Sequence, residues 1–429
     1  QKRRQKMVKK QSRRSFFKKG SVAATAGAAM LSNFGSGIQA AVNNTAMSSN
    51  PSELRIENVT CAYMRGHGTH MFVKITTNQG ITGYGEAMDA VNGTYYIVQN
   101  MGRMLRGRNP LDVNRLFDDI RQMGFFGGSQ SGIYVSVLTG IEFALWDLAG
   151  KALGLPVYRL LGGKYRDKIR IYCDTAHSSE APEVMAKAAV GVKEHGFTAI
   201  KFDCDWAGDP SKQDAYNWTA TNGEIDRMND QFTAVREAIG MKMDLCVDAH
   251  GRYDLPGGIQ MAKMFEKHRL MWLEEPVHAE NLDTLREITR QTTTPICTGE
   301  NHYLAHDFRK ILEKQAADIL MPDLHKCGGI AEGQRIANLA NLYYVPIAPH
   351  NVSSPLGTMG ACHCCAAVPN FLCMEWHHIS RWDRWNSLIE EEPLIQEGYV
   401  TVSEKPGIGV TPIEEEIKKT AVRGMPFFE

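Results

Sequence analysis

The sequence predicts an α/β fold, in which a closed (β/α)8-type barrel follows an α+β capping domain. Eight short apolar runs recur between residues 169 and 375, and each is followed by a helical pattern. Polar residues close the later runs at intervals of 23 to 27 residues, which is about the length of one βα unit. Eight such units in succession close a parallel barrel.

The composition is that of a globular protein and excludes several other classes. The 429 residues are 43% hydrophobic and 22% charged, with 48 basic and 48 acidic side chains. These values are not those of a disordered chain, a collagen or a coiled coil. No run of 18 clean apolar residues predicts a membrane span, and the zero net charge argues against a nucleic-acid binder.

The first 41 residues differ from the rest, because they contain ten Lys and Arg residues and no acidic residue. Residues 12–18, Ser-Arg-Arg-Ser-Phe-Phe-Lys, resemble the twin-arginine export motif, and an Ala/Gly-rich stretch ending in small residues follows. We expect residues 1–41 to be a signal peptide and the mature protein to be periplasmic or secreted. A disordered basic tail is the alternative. Removal of this segment leaves 38 basic and 48 acidic residues, a formal charge of −10.

Three further segments follow the predicted signal peptide. Residues 42–155 are predicted to form the capping domain, with strands within 52–90. Its helical patterns lie near residues 94–106, 110–123 and 131–154. Residues 156–390 form the predicted barrel, whose second unit carries a polar insertion around 205–225. Residues 391–429 are rich in turns and are expected to pack back on the capping domain.

Three carboxylates close successive predicted strands: Asp248, Glu274 and Glu300. The carboxyl ends of barrel strands meet at one rim, so these groups would repel one another unless a cation neutralises them. Oxygen ligands favour a hard ion, and Mg2+ suits a site that keeps positions open for substrate. Separate salt bridges at the rim are the alternative, and Glu275 is an alternative ligand to its neighbour.

Two histidines are candidates for proton transfer. Asp323 ends the strand before His350, and a carboxylate beside an imidazole fixes its tautomer and raises its basicity. His250 lies two residues after Asp248 and therefore points to the same side of its strand. The structural alternatives are a rim histidine bonded to an aspartate for His350, and support of Asp248 for His250.

Three more ionisable residues lie at predicted strand ends. Lys201 and Asp203 share one face of the second strand, where Lys201 is a candidate base or a partner for a substrate carboxylate. A simple Lys–Asp pair is the alternative. Glu375 ends the eighth strand and is a candidate hydrogen-bond partner for a developing enolate oxygen, with a buried structural carboxyl as the alternative.

The ten cysteines are interpreted mainly as free, buried residues, because several lie in or beside apolar runs. Residues 362–365, Cys-His-Cys-Cys, are a possible metal cluster. The small residues of the surrounding segment, 357–368, instead favour a buried helix.

Several motifs together resemble the enolase superfamily, in its mandelate-racemase-like branch. They occur in the family order and extend over about residues 53–415. The motifs are NQGITGYGE at 78–86, ALWDLAGKALGLPV at 144–157, KFD at 201–203, VDAHGR at 247–252, LEEP at 273–276, TGEN at 298–301, PDLHKCGG at 322–329 and PHN at 349–351.

The resemblance implies a common first step, in which Mg2+ binds a substrate carboxylate and a base removes the α-proton. Within the branch, His250 combined with the Asp323–His350 pair resembles the galactonate- and gluconate-type dehydratases. There His350 takes the α-proton and His250 assists loss of the β-hydroxyl, which makes the enzyme a carbon–oxygen lyase with a 2-keto-3-deoxy sugar acid as product. The capping loops 63–70 and 124–131 would cover the site, with Arg65 and His67 as candidate substrate contacts beside Asp203.

One departure from the branch is Asp203, because racemases and several dehydratases carry Lys-x-Lys on the second strand. This weakens a two-base racemase. An epimerase, racemase or cycloisomerase acting through the same enolate remains an alternative, as does a periplasmic sugar-acid-binding protein without catalysis. The resemblance also favours a symmetric homo-oligomer, and no nucleic acid or lasting membrane insertion is expected.

Overall fold

The computed structural model describes residues 49–66, 68–88, 93–175, 178–212, 214, 216–377 and 382–429. The predicted signal peptide and His67 therefore lie outside the described residues. The described chain begins with a three-stranded antiparallel sheet and continues into a parallel barrel. The predicted α/β class, with a capping domain and a barrel, is confirmed.

The capping sheet is an antiparallel meander that packs on the long helix α3. Its strands are β1 (Ile56–Gly66), β2 (Gly68–Thr77) and β3 (Thr82–Ala87), and its helices are α1 (Thr94–Leu105), α2 (Val113–Met123) and α3 (Gly132–Leu153). Gly83 and Gly85 permit the close approach, because a Cβ on either would lie about 2 Å from a backbone oxygen of α3. Helix α3 has the length and hydropathy of a membrane span, but 78% of its most apolar window is buried inside the protein, as in a core helix.

The barrel begins after a short helix, α4 (Val157–Leu160), and its strands alternate with helices. The strands are β4 (Lys168–Asp174), β5 (Ala199–Asp203), β6 (Asp244–Asp248), β7 (Trp272–Glu274), β8 (Ile296–Thr298), β9 (Ile319–Leu320) and β10 (Met374–Trp376). The helices are α5 (Pro182–Glu194), α6 (Asn222–Ile239), α7 (Leu255–Phe265), α8 (Leu282–Gln291), α9 (Leu304–Lys314), α10 (Ile330–Leu342) and α11 (Pro355–Ala366).

The predicted strand near residue 347 is reduced to single bridges, in which Ile347 pairs with Leu320 on one side and Phe371 on the other. The barrel closes because β10 pairs in parallel with β4, with Glu375 opposite Tyr172. Large side chains from the strands, among them Tyr172 and Trp272, fill its interior. Buried side chains in this layer make the barrel a packed core with its functional groups at the rim.

The eighth βα unit has a shorter helix than the other units. After β10 the described chain forms only a five-residue helix, α12 (Trp382–Asn386), and then a hairpin of β11 (Ile395–Gln396) and β12 (Tyr399–Thr401). Strand β12 pairs antiparallel with the first half of β4, whose second half pairs with β10. A hairpin and a short helix therefore occupy the place of the eighth helix.

The C-terminal segment returns to the capping sheet. It contains α13 (Glu414–Lys418) and then runs along β1, where Ala421 pairs with Met64 and Phe427 with Ala62. The same segment thus contacts both the barrel and the capping sheet.

All ten cysteines are free and buried, as expected. The Cys-His-Cys-Cys segment lies within α11, and its His363 is engaged by the backbone. The Nδ1 of His363 accepts from the amide of Tyr158 and its Nε2 contacts the carbonyl of Ile408, so the ring is part of the core.

Candidate active site

The predicted carboxylates meet at the carboxyl ends of the barrel strands. Asp248 is paired with Glu274 in the parallel register of β6 and β7, and Glu300 follows β8 after one glycine. Oxygen atoms of the three side chains lie within 4.8 Å of one another. The sequence spacing therefore brings them into one cluster because each closes its strand at the same height.

The cluster has the properties of a cation site. Glu274 is fully buried, and burial together with the charge of Asp248 raises the pKa of its carboxyl well above the usual value. Its Oε1 is buried without a hydrogen-bond partner among the described residues. An orphaned buried oxygen beside two other carboxylates fits a hard divalent ion, which would supply the missing ligand contact and neutralise the repulsion.

Lys201 lies beneath this cluster and is almost completely buried. Its Nζ is 3.1 Å from both Asp248 Oδ2 and Glu274 Oε2, 2.8 Å from Glu375 Oε1 and 3.3 Å from Asp174 Oδ2. Burial lowers the pKa of this amine, but the surrounding carboxylates outweigh burial and raise it well above the usual value. This environment favours a fixed positive charge over a base, and the ion pairs of Lys201 are not with the predicted partner, Asp203.

His350 is held by the residue predicted from the sequence. Its Nδ1 is 2.8 Å from Asp323 Oδ2, and its Nε2 is 3.1 Å from Glu300 Oε2. Burial raises the pKa of Asp323, but hydrogen bonds with His325 and His350 outweigh burial and lower it below the usual range. An ionised Asp323 fixes the His350 tautomer and leaves Nε2 facing the site.

His250 has the same arrangement at the other end of the cluster. Its Nδ1 is 2.7 Å from Asp205 Oδ1, and its Nε2 is 3.7 Å from Asp248 Oδ2. Burial lowers the pKa of His250, but the hydrogen bond to Asp205 and the nearby carboxylates outweigh burial and raise it to about 10. Burial likewise lowers the pKa of His350, but Glu375, Glu300 and Asp323 outweigh it and raise that pKa to about 10, so protonation state does not distinguish the two rings.

Asp203 lies beside this second histidine, with its Oδ1 4.0 Å from the His250 Nε2. Burial and the charge of Asp174 raise the pKa of Asp203 to about 8. A carboxyl that is partly protonated at neutral pH can donate as well as accept a hydrogen bond. Substrate binding by Asp203 stays a prediction that this position allows.

Glu375 is fully buried between the lysine and the first histidine. Its Oε2 is 3.6 Å from His350 Nε2, and its Oε1 is 3.2 Å from His377 Nε2. Burial raises the pKa of Glu375, but Lys201 and His350 outweigh burial and lower it well below the usual value. Its Oε2 accepts from the amide of Asn351 at 3.2 Å. A hydrogen bond between Glu375 and an enolate oxygen stays a prediction, and it requires the protonated form of the carboxyl.

The adjacent carboxyl, Glu275, faces a different environment from Glu274. Its two oxygens accept hydrogen bonds from Thr298 Oγ1 at 2.9 Å and Asn301 Nδ2 at 2.8 Å. Its backbone has a positive φ of 35°, which turns its side chain away from the strand direction of Glu274. Glu274 is therefore the member of the pair that joins the three-carboxylate cluster.

The capping domain reaches the barrel through Glu86 at the end of β3. Its carboxylate is 2.7 Å from His70 Nδ1 and accepts from the amides of Ser354 at 2.8 Å and Gly357 at 3.0 Å. These amides lie at the start of α11, directly after the His350 loop. Arg65 is exposed on β1, and its side chain has no described contact with the cluster.

Sequence reasoning missed four groups that the fold brings to the site. They are Asp174, Asp205, His377 and Glu86. Asp174 ends β4 and His377 directly follows β10. A search for ionisable residues at the carboxyl ends of strands would therefore have found both. Asp205 lies in the polar insertion, where no spacing rule applies, and Glu86 was hidden in a glycine-rich turn motif.

The comparisons with known proteins agree with this geometry. Residues 43–162 match the mandelate racemase / muconate lactonizing enzyme N-terminal domain, and residues 183–416 match the enolase C-terminal domain-like family. A D-xylonate dehydratase of Haloferax volcanii is 40% identical over 88% of this chain and 91% of its own length. A D-galactonate dehydratase of Variovorax paradoxus is 31% identical over 81% of this chain and 90% of its own length.

A solved structure is also similar over most of the chain. The mandelate racemase/muconate lactonizing enzyme-like protein of Rubrobacter xylanophilus matches this chain with a TM-score of 0.84 and 41% sequence identity. The match extends over 88% of this chain and 100% of that protein's chain. The two family models together match both domains, and the chain belongs to the mandelate racemase / muconate lactonizing enzyme family of the enolase superfamily.

Proposed function

We propose that this chain is a Mg2+-dependent acid-sugar dehydratase, a hydro-lyase that converts an aldonic acid into a 2-keto-3-deoxy acid. The observation that carries the proposal is a pair of imidazole–carboxylate dyads, His350–Asp323 and His250–Asp205, at the two ends of the three-carboxylate cluster. The relatives named as D-xylonate and D-galactonate dehydratases support it.

Elimination needs one group that takes a proton and another that gives one. In our proposal, Nε2 of His350 takes the proton from C2, because Asp323 occupies its Nδ1. Nε2 of His250 gives its proton to the C3 hydroxyl, which leaves as water while the C2–C3 double bond forms. The enol product then tautomerises to the 2-keto acid.

Asp248, Glu274 and Glu300 are the residues that would hold the metal ion. When bound there, Mg2+ supplies positive charge that offsets the negative charge developing on the substrate. Lys201 holds Asp248 and Glu274 from below with a fixed charge, so the oxygens on the open side remain for the ion.

The test is a library of acid sugars incubated with the protein and Mg2+ in D2O. We expect loss of the β-hydroxyl and a keto product from at least one aldonic acid. Deuterium uptake at C2 without elimination would identify an epimerase instead, and a ring-opened or ring-closed isomer would identify a cycloisomerase. Binding of an acid sugar without any turnover would favour the non-catalytic binding protein.

We also propose that residues 1–41 direct twin-arginine export and that the mature protein is periplasmic or secreted. The ordered sequence of basic motif, apolar stretch and small residues supports this. N-terminal sequencing of the exported protein should begin near Ala41 or Val42, and retention of Arg13 would contradict the proposal. A homo-oligomer is proposed on the family resemblance, and light scattering of the purified protein tests it.

A further inference from the structure

A cavity lies beside His250, the proposed proton donor, and much of its wall comes from the polar insertion of the barrel. It has a volume of about 520 Å3 and is bounded by residues 205–207, 212 and 216–218 of the insertion and by the loop 250–253. Its walls include the indole rings of Trp206 and Trp218 and the side chains of Asp205 and Arg252. Aromatic rings beside polar groups form a surface that matches a molecule with alternating C–H and hydroxyl groups.

This cavity adjoins the candidate active site, because His250 belongs to both. His250 lies in its wall and, at the same time, is 3.7 Å from the metal-ligand candidate Asp248. If the carboxylate end of the substrate lies at the three-carboxylate cluster and the C3 hydroxyl meets His250, carbons beyond C3 must continue past His250. Asp205, which holds the His250 ring, lies in the wall of the same cavity.

The wall is built before any substrate binds, because the insertion is anchored to α6. The Arg227 guanidinium donates to the carbonyl of Cys204 at 3.0 Å, pairs with Asp209 and lies 5.7 Å from the centre of the Trp206 ring. Lys212 pairs with Glu224 at 2.9 Å. A wall fixed in this way lowers the ordering cost of binding.

The size of the cavity does not set which acids it selects. Each additional hydroxymethylene group occupies about 30 Å3, similar to a water molecule in the liquid. Two or three such groups fill only a part of about 520 Å3, so the cavity does not reject five- or six-carbon acids by size. Selectivity must therefore come from contacts with the indole rings.

Resting on the proposed dehydratase function, we infer that this cavity is the subsite for the hydroxylated tail of the sugar acid beyond C3. Trp206 and Trp218 are then specificity-determining residues that favour longer aldonic acids. A neighbouring cavity over β7 and β8 also borders His250, and its walls include Ser131 and Leu282. It is the competing route for the tail, and the experiment below separates the two.

The experiment measures kcat and KM of the full chain with Mg2+ for four-, five- and six-carbon aldonic acids of one C2/C3 configuration. The variants are Trp206→Ala and Trp218→Ala, with Leu282→Ala as the matched control in the neighbouring cavity. For the six-carbon acid we expect each Trp variant to lower kcat/KM about tenfold, mainly through KM, which corresponds to one lost aromatic contact. The four-carbon acid should change by less than twofold, and Leu282→Ala should behave like the wild type.

Equal losses for all three acids in both Trp variants would overturn the inference, as would a length-dependent loss in Leu282→Ala alone. Trp218 is half exposed, so its variant keeps the test valid if Trp206→Ala unfolds. Thermal unfolding and Mg2+ binding of each variant exclude a general loss of structure. Failure of the wild type to dehydrate any of the acids would instead refute the proposed function itself.

Discussion

His350 and His250 are held in the same way, each with a carboxylate on Nδ1 at 2.7 to 2.8 Å and with Nε2 directed at the carboxylate cluster. The two rings nevertheless lie at different ends of the cluster, His350 nearest Glu300 and His250 nearest Asp248. We propose that the two rings serve different steps, and substitutions of single residues can separate those steps.

Replacement of the proposed base, His350→Asn, should abolish turnover and leave metal binding intact. Asn cannot accept the α-proton, and loss of a general base costs about 10²- to 10⁴-fold in rate. Turnover and Mg2+ affinity by calorimetry are measured on the same preparation. An unchanged rate would refute the assignment of His350.

Replacement of the residue that orients the second histidine, Asp205→Ala, should lower kcat about 10- to 100-fold, because His250 loses its partner at 2.7 Å. Asp205→Asn should recover part of the rate, since an amide oxygen can still accept from Nδ1. Asp214→Ala is the matched control, because this carboxylate lies in the same insertion and accepts from the amide of Tyr216. A purely structural role for Asp205 would lower stability and leave kcat of the folded fraction unchanged.

At the scale of elements, the start of α11 depends on a carboxylate from the capping sheet. Glu86 accepts from the amides of Ser354 and Gly357 and contacts His70, all in the buried interface between β3 and the barrel. This contact fixes the loop that carries His350, so the capping domain contributes to the site without touching the cluster.

Substitution of this carboxylate, Glu86→Ala, should destabilise the protein by about 3 to 5 kcal/mol, because it leaves buried donors without an acceptor. Denaturant unfolding measures the loss, and kcat should fall as the His350 loop loses its anchor. Glu414→Ala is a control, since this carboxylate pairs with Lys74 at a partly exposed position and should cost much less.

The middle of α11 contains a histidine that must stay neutral. Burial lowers the pKa of His363 to about 4, below its value of about 6.5 in an unfolded chain, although its bond to the Ile408 carbonyl opposes this. The folded state therefore binds fewer protons than the unfolded state between these values. The stabilisation is complete above about pH 6.5 and is lost as the pH falls toward 4.

Denaturant unfolding at pH 7 and pH 4.5 tests this linkage. We expect the wild type to lose about 2 to 3 kcal/mol more between these values than His363→Gln, since the variant has no group to protonate there. Equal losses of stability in the two proteins would contradict the prediction, because they would show that the pKa of His363 is the same in the folded and unfolded states.

At the scale of the whole molecule, the cluster at the rim couples metal binding to stability. The three carboxylates repel one another, and Glu274 Oε1 has no hydrogen-bond partner among the described residues. A cation that binds only the folded state therefore stabilises it, and Mg2+ at a hundredfold excess over its Kd should do so by about 3 kcal/mol. Thermal unfolding with Mg2+ and with a chelator measures the difference. The gain should vanish in Glu274→Gln and persist in Glu275→Gln, because Glu275 is bonded to Thr298 and Asn301 instead.

The regular part of the fold was predictable because strand ends recur with the length of a βα unit. That period placed Asp248, Glu274 and Glu300 at one rim, and it placed Asp323 beside His350. The hairpin that follows the last unit and pairs with β4 was not predicted. Pairing with a distant edge leaves no periodic signal in the local sequence.

The barrel, the capping domain and the types of chemical group at the rim were predictable from the chain alone, because they follow from the period of apolar residues and from residue type. Only the tertiary structure decided which groups share a contact. It gave Lys201 four carboxylate neighbours, Asp205 to His250 and Glu86 to the α11 amides. Such contacts join residues 27 to 271 positions apart. Loop conformation and domain packing bring these residues together, and neither carries a repeating signal along the chain.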